Sequence, residues 1–283
     1  MSAAAELLRA GAALLAEAGI DGARAEARLL LEAATGMNRT ALLTGTVHYV
    51  REMERVRYQE LLARRAAREP MAYVLGRQEF WSRLFAVGPG VLVPRADTET
   101  LIEAAISAFP DPVRPLRLLD VGVGSGCLAI TLLAQYPNAR AVATDLSTAA
   151  LACARSNAVA LTVADRLLLV RADLVSGVGG PFDLVIANPP YIPTAEIKSL
   201  QLEVRQWEPR GALDGGPDGL AAYRRLLPRL GGLLAPGGIS IVELGEGQDA
   251  AVAALAEDVG LAATPHRDLA GIVRCLELRL APN

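Results

Sequence analysis

Metal ligands are scarce in this chain. Two histidines, His48 and His266, and three cysteines, Cys127, Cys153 and Cys275, are scattered over 283 residues. No pair of them has the spacing of a zinc site, and three is an odd number for a disulfide framework. Lysine is almost missing: of 28 basic residues only Lys198 is not an arginine, a bias expected of a GC-rich genome. No apolar run reaches the roughly 18 residues of a membrane-spanning helix. The opening MSAAAELLRAG has neither the basic flank nor the apolar core of a signal peptide. A net charge of −3 offers no bulk attraction to a polyanion. These absences argue against metal enzymes, secreted and membrane-spanning proteins, and binders held to nucleic acid by overall charge. A reduced, cytoplasmic setting fits best.

What is present is a globular composition, 52% hydrophobic and 21% charged, long enough for one large or two smaller domains. The first ~70 residues read as helices. Leu7, Leu8, Gly11, Leu14, Leu15 and Ala18 follow helical spacing, with Ser2 as N-cap and Gly19 as the stop. Asp21 is placed to cap a second helix that ends near Gly36, and a third element starts near Asn38. The arginine-rich stretch 50–69 is helix-compatible, with Glu60 and Arg64 as an i,i+4 pair and Pro70 as terminator. Its arginines read as a solvated face that steers an acidic partner. Next, GRQEFWSRLFAVGPGVLVPR suggests a β-hairpin turning around Gly88-Pro89-Gly90, and Asp97 an N-cap. From Arg117 onward strands and helices alternate, which implies βαβ units and a mostly parallel sheet.

Asp120-Val121-Gly122-Val123-Gly124-Ser125-Gly126 joins the first of these strands to a helix. Glycines there let backbone amides approach a ligand. Asp145 ends the next strand, 19 residues after Gly126, where an acid accepts both hydroxyls of a ribose. A dinucleotide site would space its third glycine one residue later. Asp120, directly before the loop, suits a cationic ligand better than a pyrophosphate, and S-adenosylmethionine is such a ligand. A tight turn without any ligand is the plain alternative. Asp173, after the third strand, is favoured to read the adenine edge; a loop cap is the other reading.

Asn188-Pro189-Pro190-Tyr191 follows the apolar strand Leu184-Val185-Ile186. A conjugated, planar NH2 group is a poor nucleophile until its lone pair is freed. Two acceptors aimed at its protons do this, and the Asn188 side-chain oxygen and the Pro189 carbonyl are suited to the task. The prolines stiffen the turn and supply no competing N–H. Tyr191 offers a flat face for stacking. No strong general base is needed, because the nitrogen becomes acidic once methylated. A rigid strand-end turn with a packed tyrosine is the alternative.

With these residues in view, the chain resembles the HemK-type protein-(glutamine-N5) methyltransferases that modify bacterial peptide-chain release factors. The likeness runs through GRQEFWSRLFAVGPGVLVPRADTE, the LLDVGVGSG loop, the NPPY turn, WEPRGALDGGPDGLAAYRRL and RDLAG. Ala96 stands where the family has proline in its PRPDTE block, and Val123 where it has threonine or a similar residue. The resemblance implies a class I Rossmann-like domain with a mostly parallel seven-stranded sheet, behind a small helical domain and a hairpin linker. The expected boundaries are 1–75 for helical substrate recognition, 76–95 for the linker and 96–283 for methyl transfer.

The resemblance further implies S-adenosylmethionine as cofactor, held by Asp120, Val121, Gly122, Val123, Gly124, Gly126, Asp145, Asp173, Leu174 and Asn188. It implies a class I release factor as substrate, its Gly-Gly-Gln glutamine held by Asn188, Pro189, Pro190 and Tyr191. Phe80, Arg95 and Glu99 lie in a block that borders the active site in such enzymes. Hairpin packing for Phe80 and an Arg95–Glu99 pair are the structural alternatives. No metal, membrane or direct nucleic-acid contact is expected. Glu243 is expected to orient a loop, and His48 and His266 have no assigned chemistry. Rival readings are a nucleic-acid amino-methyltransferase using the same turn on a flipped base, and a non-catalytic adaptor for release factors or ribosomes.

Overall fold

The computed structural model describes residues 2–38, 40 and 49–281. The chain divides into two compact units: Met1–Arg77 with Gln201–Trp207, and Gln78–Leu200 with Glu208–Asn283. His48 and most of the element expected from Asn38 lie outside the described residues.

In the first unit, β1 (Ser2–Ala3) pairs antiparallel with β2 (Tyr49–Val50). Helices α1 (Ala4–Glu17), α2 (Ala23–Thr35), α3 (Glu52–Ala66) and α4 (Met71–Leu75) follow in chain order. Leu15, Ala27, Leu30, Leu31, Tyr58, Leu62 and Val74 share one core, as the helical spacing of the α2 positions predicts. Gly19 and Gly36 follow α1 and α2 in the left-handed region, as expected of helix stops. The caps differ from expectation. Ser2 is drawn into β1 by its pairing with Val50, so Ala3 is the N-cap; left-handed Gly22, not Asp21, begins α2.

The arginine run is not simply a solvated face. Arg65 is 5% exposed, and its guanidinium meets Glu26 at 2.6 Å and Glu203 at 2.9 Å. Arg68 also binds Glu203, at 2.9 Å, and Arg64 pairs with Glu69 rather than with Glu60. Glu203 belongs to the short helix Leu202–Trp207, which groups with this unit although the chain reaches it between two strands of the other, Phe182–Ala187 and Leu234–Glu243.

Next comes a hairpin of β3 (Arg77–Phe80) and β4 (Arg83–Ala86), which lies in the second unit from Gln78 onward. Its turn is Trp81-Ser82, both at positive φ, and not Gly88-Pro89-Gly90. A two-residue turn of this hand follows the strand twist. Here the Trp81 N–H donates to Glu99 Oε1 at 2.6 Å, and Phe80 and Phe85 meet edge to face behind it. These tertiary contacts replace the usual Asn-Gly signal.

The remaining elements are α5 (Glu99–Ala108), β5 (Arg117–Val121), α6 (Cys127–Gln135), β6 (Arg140–Asp145), α7 (Thr148–Ala160), β7 (Leu167–Arg171), β8 (Phe182–Ala187), α8 (Ala221–Leu230), β9 (Leu234–Glu243), α9 (Asp249–Glu257), β10 (Leu261–Arg267) and β11 (Val273–Leu280). The strands form one seven-stranded sheet in the order β10-β11-β9-β8-β5-β6-β7. All pairs are parallel except those of β11 with β9 and β10. This is the mostly parallel, Rossmann-like sheet that the resemblance implies.

Strand β8 explains why the sheet is buried on both faces. Leu184 and Ile186 join a core with Leu101, Ile102 and Leu132, whereas Val185 and Ala187 join one with Tyr223, Leu226 and Val252. Residues two apart share a face, so an unbroken apolar run feeds two cores. From β5 the chain winds outward to β7, then returns on the other side of β5 through β8 and β9. The strand order therefore reverses between β5 and β8, where open α/β sheets form their ligand crevice.

Candidate active site

A cavity of about 550 Å³ lies at this reversal, walled by the ends of β5, β6, β7 and β8. The β5–α6 loop forms its floor. Gly122, Gly124 and Gly126 all have positive φ, a backbone that side-chain-bearing residues adopt only with strain. The N–H groups of Gly122 and Val123 both donate to the Thr144 carbonyl, at 2.9 and 2.8 Å. Val123 thus acts through its backbone, and its side chain packs with Ala129, Ala143 and Ala154. Val121, Gly122, Val123 and Gly124 line the cavity; Gly126 does not. A Cβ on Gly126 would run into Ile130, so that glycine permits α6 to close on its own loop.

Asp145 lines the cavity with its carboxylate oriented by two backbone amides. Gly124 N–H donates to Oδ2 at 3.0 Å and Ser147 N–H to Oδ1 at 2.8 Å. Each oxygen keeps a lone pair for a further donor. Asp173 and Leu174 border the same space from the end of β7. The Asp173 carboxylate is held by Arg225 at 2.6 Å, and Leu174 has φ 51°. Asp120 is not brought to the wall. It is 1% exposed beneath the loop, where Oδ2 accepts from Ala129 N–H at 3.0 Å and Oδ1 has no hydrogen-bond partner. Burial pushes its carboxyl up to about 7, and the nearby Asp145 charge adds to the rise.

Asn188, Pro189 and Pro190 line the opposite wall, at the end of β8. Asn188 Nδ2 donates to Thr98 Oγ1 at 3.3 Å, which leaves Oδ1 as the side-chain atom open to a ligand. The turn rests on Asp214–Gly219. Ile192 N–H donates to Leu213 O and Gly215 N–H to Ile192 O, at 3.0 and 2.8 Å. The Tyr191 carbonyl accepts from Gln248 Nε2 at 2.9 Å, and Gly219 lies so close to it that no Cβ fits between them. Tyr191 itself does not line the cavity. Its ring packs beside the second core, its hydroxyl donates to Glu243 Oε1 at 3.3 Å, and burial pushes that hydroxyl upward.

Arg95 lines the cavity with its guanidinium on the Glu208 carboxylate, which also accepts from Val93 N–H at 3.1 Å. An Arg95–Glu99 pair is absent because Glu99 is committed to the Trp81 amide. Neither Glu99 nor Phe80 reaches the cavity; Phe80, 1% exposed, is core. Asp97 caps no helix. It lies in the turn Ala96–Thr98 and bridges to Arg274 at 3.0 Å. His266 contacts Glu277 at 3.3 Å, away from the cavity residues.

Sequence reasoning gives no role to Thr98, Glu208, Gly215, Gly219 or Gln248. Four of the five lie in or beside the PRADTE and EPRGALDGGPDGL blocks, and those blocks are the available signal. The paired glycines of Asp214-Gly215-Gly216 and Gly219 mark backbone running against backbone.

Comparison with known proteins agrees with this layout. Residues 6–76 match the family described as PrmC N-terminal domain, and residues 98–203 match that described as methyltransferase small domain. A release factor glutamine methyltransferase of Bradyrhizobium diazoefficiens is 44% identical over 275 residues, covering 96% of this chain and 93% of its own. That of Cereibacter sphaeroides is 44% identical over 98% of both chains. Among solved structures, a methyltransferase from Pyrococcus furiosus superposes with a TM-score of 0.52 at 18% identity, over 70% of this chain and 89% of its own. That likeness concerns the fold alone.

Proposed function

Because the chain belongs to the release factor glutamine methyltransferase family, with 44% identity over nearly all of both chains, we propose that it methylates the glutamine side-chain nitrogen in the Gly-Gly-Gln loop of class I release factors. The donor is S-adenosylmethionine, and the setting is the cytoplasm, where translation ends. The observation that carries this reading is the Asn188 amide. Its NH2 is engaged by Thr98, and the residue lines the same cavity as the glycine loop and Asp145.

The cavity residues fit the cofactor. Asp145 keeps acceptors for two ribose hydroxyls, and Gly122, Val123 and Gly124 offer backbone close by. Asp173 and Leu174 border the adenine end. Both arginines that line the cavity, Arg95 and Arg225, are already ion-paired, so neither is free for a pyrophosphate. When bound, the cofactor supplies a methyl group activated on a sulfonium.

The chain's own contribution is positioning. Asn188 Oδ1 and the Pro189 carbonyl accept the two protons of the target amide and free its lone pair. The stiff prolines hold both acceptors at one separation, so alignment supplies much of the rate. The helical unit reads the protein partner.

The test is single-turnover methylation of purified release factor with labelled S-adenosylmethionine, the site located by mass spectrometry. Asn188→Ala is expected to lower transfer by about 100-fold, the scale of one preorganised polar contact, with cofactor affinity little changed. Wild-type transfer to an oligonucleotide and none to release factor would overturn the reading.

A further inference from the structure

The reaction requires Asn188 to present its oxygen, not its NH2, to the target nitrogen. An amide has nearly the same shape either way round. Its orientation must come from neighbours that donate and accept in a fixed direction. Asn188 Nδ2 meets Thr98 Oγ1 at 3.3 Å. A hydroxyl cannot fix that direction alone, since it donates as readily as it accepts. Something beyond Thr98 has to claim its proton.

Glu243 is the group in position. It ends β9, 2% exposed, and its main chain is clamped by Tyr223 Oη on its carbonyl at 2.6 Å and by pairing with Cys275. One carboxylate oxygen accepts from Tyr191 Oη at 3.3 Å, and the other, Oε2, is buried with no hydrogen-bond partner within 3.5 Å. Burial pushes its carboxyl up to about 7, and Thr98, Tyr191 and Asn188 work against that rise by favouring the ionised form. An ionised carboxylate only accepts. Once ionised it sets one direction for its neighbours: Tyr191 donates to it from one side, and a Thr98 hydroxyl turned toward the unpartnered Oε2 leaves its own oxygen to receive the Asn188 NH2.

We infer that Glu243 is a positioning residue, which fixes the Asn188 amide through Thr98 and the Asn-Pro-Pro-Tyr turn through the Tyr191 hydroxyl. Glu243 touches neither substrate nor cofactor. The inference rests on the role proposed above for Asn188. Glutamine at 243 would keep the volume and reverse the logic: its NH2 would donate to Thr98, whose hydroxyl would then turn to Asn188 Oδ1. The Asn188 NH2 would be left facing the target NH2, donor against donor.

The experiment compares Glu243→Gln, Thr98→Val and Thr98→Ser with wild type. It measures kcat and KM on release factor, affinity for S-adenosylhomocysteine, and the 15N–1H resonances of the Asn188 side chain, assigned by their loss in Asn188→Ala. Glu243→Gln and Thr98→Val should each lower kcat by about 30- to 100-fold, within the range for a misplaced polar contact. KM and cofactor affinity should stay within about threefold. The double variant should be no worse than either single one, because both break one chain of bonds. Thr98→Ser, which keeps the hydroxyl, should recover most of the rate lost in Thr98→Val. The Asn188 amide resonances should move in Glu243→Gln and Thr98→Val and stay in place in Thr98→Ser. Wild-type kcat in Glu243→Gln with unmoved resonances would overturn the inference. So would an equal fall in kcat, cofactor affinity and melting temperature, which is what a merely structural carboxylate predicts. If wild type itself methylates no release factor, the proposed function falls, and the amide resonances alone decide the role of Glu243.

Discussion

Replacing Gly219 by alanine adds one methyl group in front of the Tyr191 carbonyl. Two costs arise together. Gly219 has φ +78°, and an L-residue held in the left-handed region costs about 1–2 kcal/mol. The new Cβ would also sit well inside contact distance of the Tyr191 carbonyl oxygen and 2.5 Å from Gln248 Nε2. The glutamine can swing away, but only by giving up its bond to that carbonyl. The carbonyl belongs to a turn stiffened by two prolines and must retreat by about 1 Å, at an overpacking cost of roughly 1–3 kcal/mol. Gly237→Ala is the matched control, since Gly237 has φ +75° and nothing within 4 Å of an added Cβ. Gly237→Ala should therefore lose about 1–2 kcal/mol and Gly219→Ala about 2–5 kcal/mol. Methyl transfer separates them further: a 1 Å misplacement of an aligned group costs on the order of 100-fold, expected for Gly219→Ala alone. Urea denaturation and single-turnover transfer at saturating cofactor check both. If Gly219→Ala matched Gly237→Ala in stability and in rate, Asp214–Gly219 would not brace the Asn188–Tyr191 turn.

Three further outcomes are expected. Asp145→Ala should weaken S-adenosylmethionine binding by at least tenfold while far-UV circular dichroism is unchanged, because charge-assisted hydrogen bonds contribute about 1.5–3 kcal/mol each; unchanged affinity by calorimetry refutes the assignment. Stability should fall as pH rises from about 5 to 8. Burial raises the Asp120 and Glu243 carboxyls to about 7 from 3.8 and 4.5, so the unfolded chain releases these protons first and the penalty on the folded state grows until both groups are ionised there, then stays. Each tenfold change in proton affinity is worth about 1.4 kcal/mol, so a few kcal/mol are at stake, and Asp120→Asn should flatten the melting-temperature profile; a profile rising over this window contradicts the assignment. Below pH 4 the slope should reverse, because Asp268 and Asp218 are held low by Arg274 and Arg224. Arg65→Met should destabilise the helical unit by about 1–3 kcal/mol, because it leaves the half-buried Glu26 without its partner and Glu203 with Arg68 alone; a loss below about 0.5 kcal/mol in denaturant titration would mean that solvent and Arg68 satisfy both carboxylates.

The parts of the fold that depend on local pattern are legible in the sequence. Cys127–Gln135 and Ala221–Leu230 are helices as read, and the apolar runs of β5 and β8 are central strands. The strand missed in the seven-stranded sheet is β10, Leu261–Arg267. It lies at the sheet edge, paired on one side only with β11, where Pro265 and small polar residues are tolerated and no apolar signal is needed. The hairpin turn escapes local reading because Trp81-Ser82 owes its backbone to Glu99, 18 positions away. At the candidate site, Gly122, Asp145 and Asn188 stand out because each ends a strand or directly follows one. Thr98, Glu208 and Gly219 do not, since each acts on a neighbour brought by tertiary structure. The same limit applies to Asp120, which has the sequence position of a ligand contact and lies under the floor.

The seven residues Gln201–Trp207 have a consequence for inheritance. They lie in sequence between Tyr191 and Glu208 yet count with the helices, where Glu203 takes both Arg65 and Arg68. The helical unit is therefore not an interchangeable cassette. A gene fusion or swap that replaced the amino-terminal third would strand this insert with its carboxylate unanswered, and one that cut the third away would leave the insert behind in the other half. Shuffling the helical unit between relatives has to carry two separate stretches of gene at once.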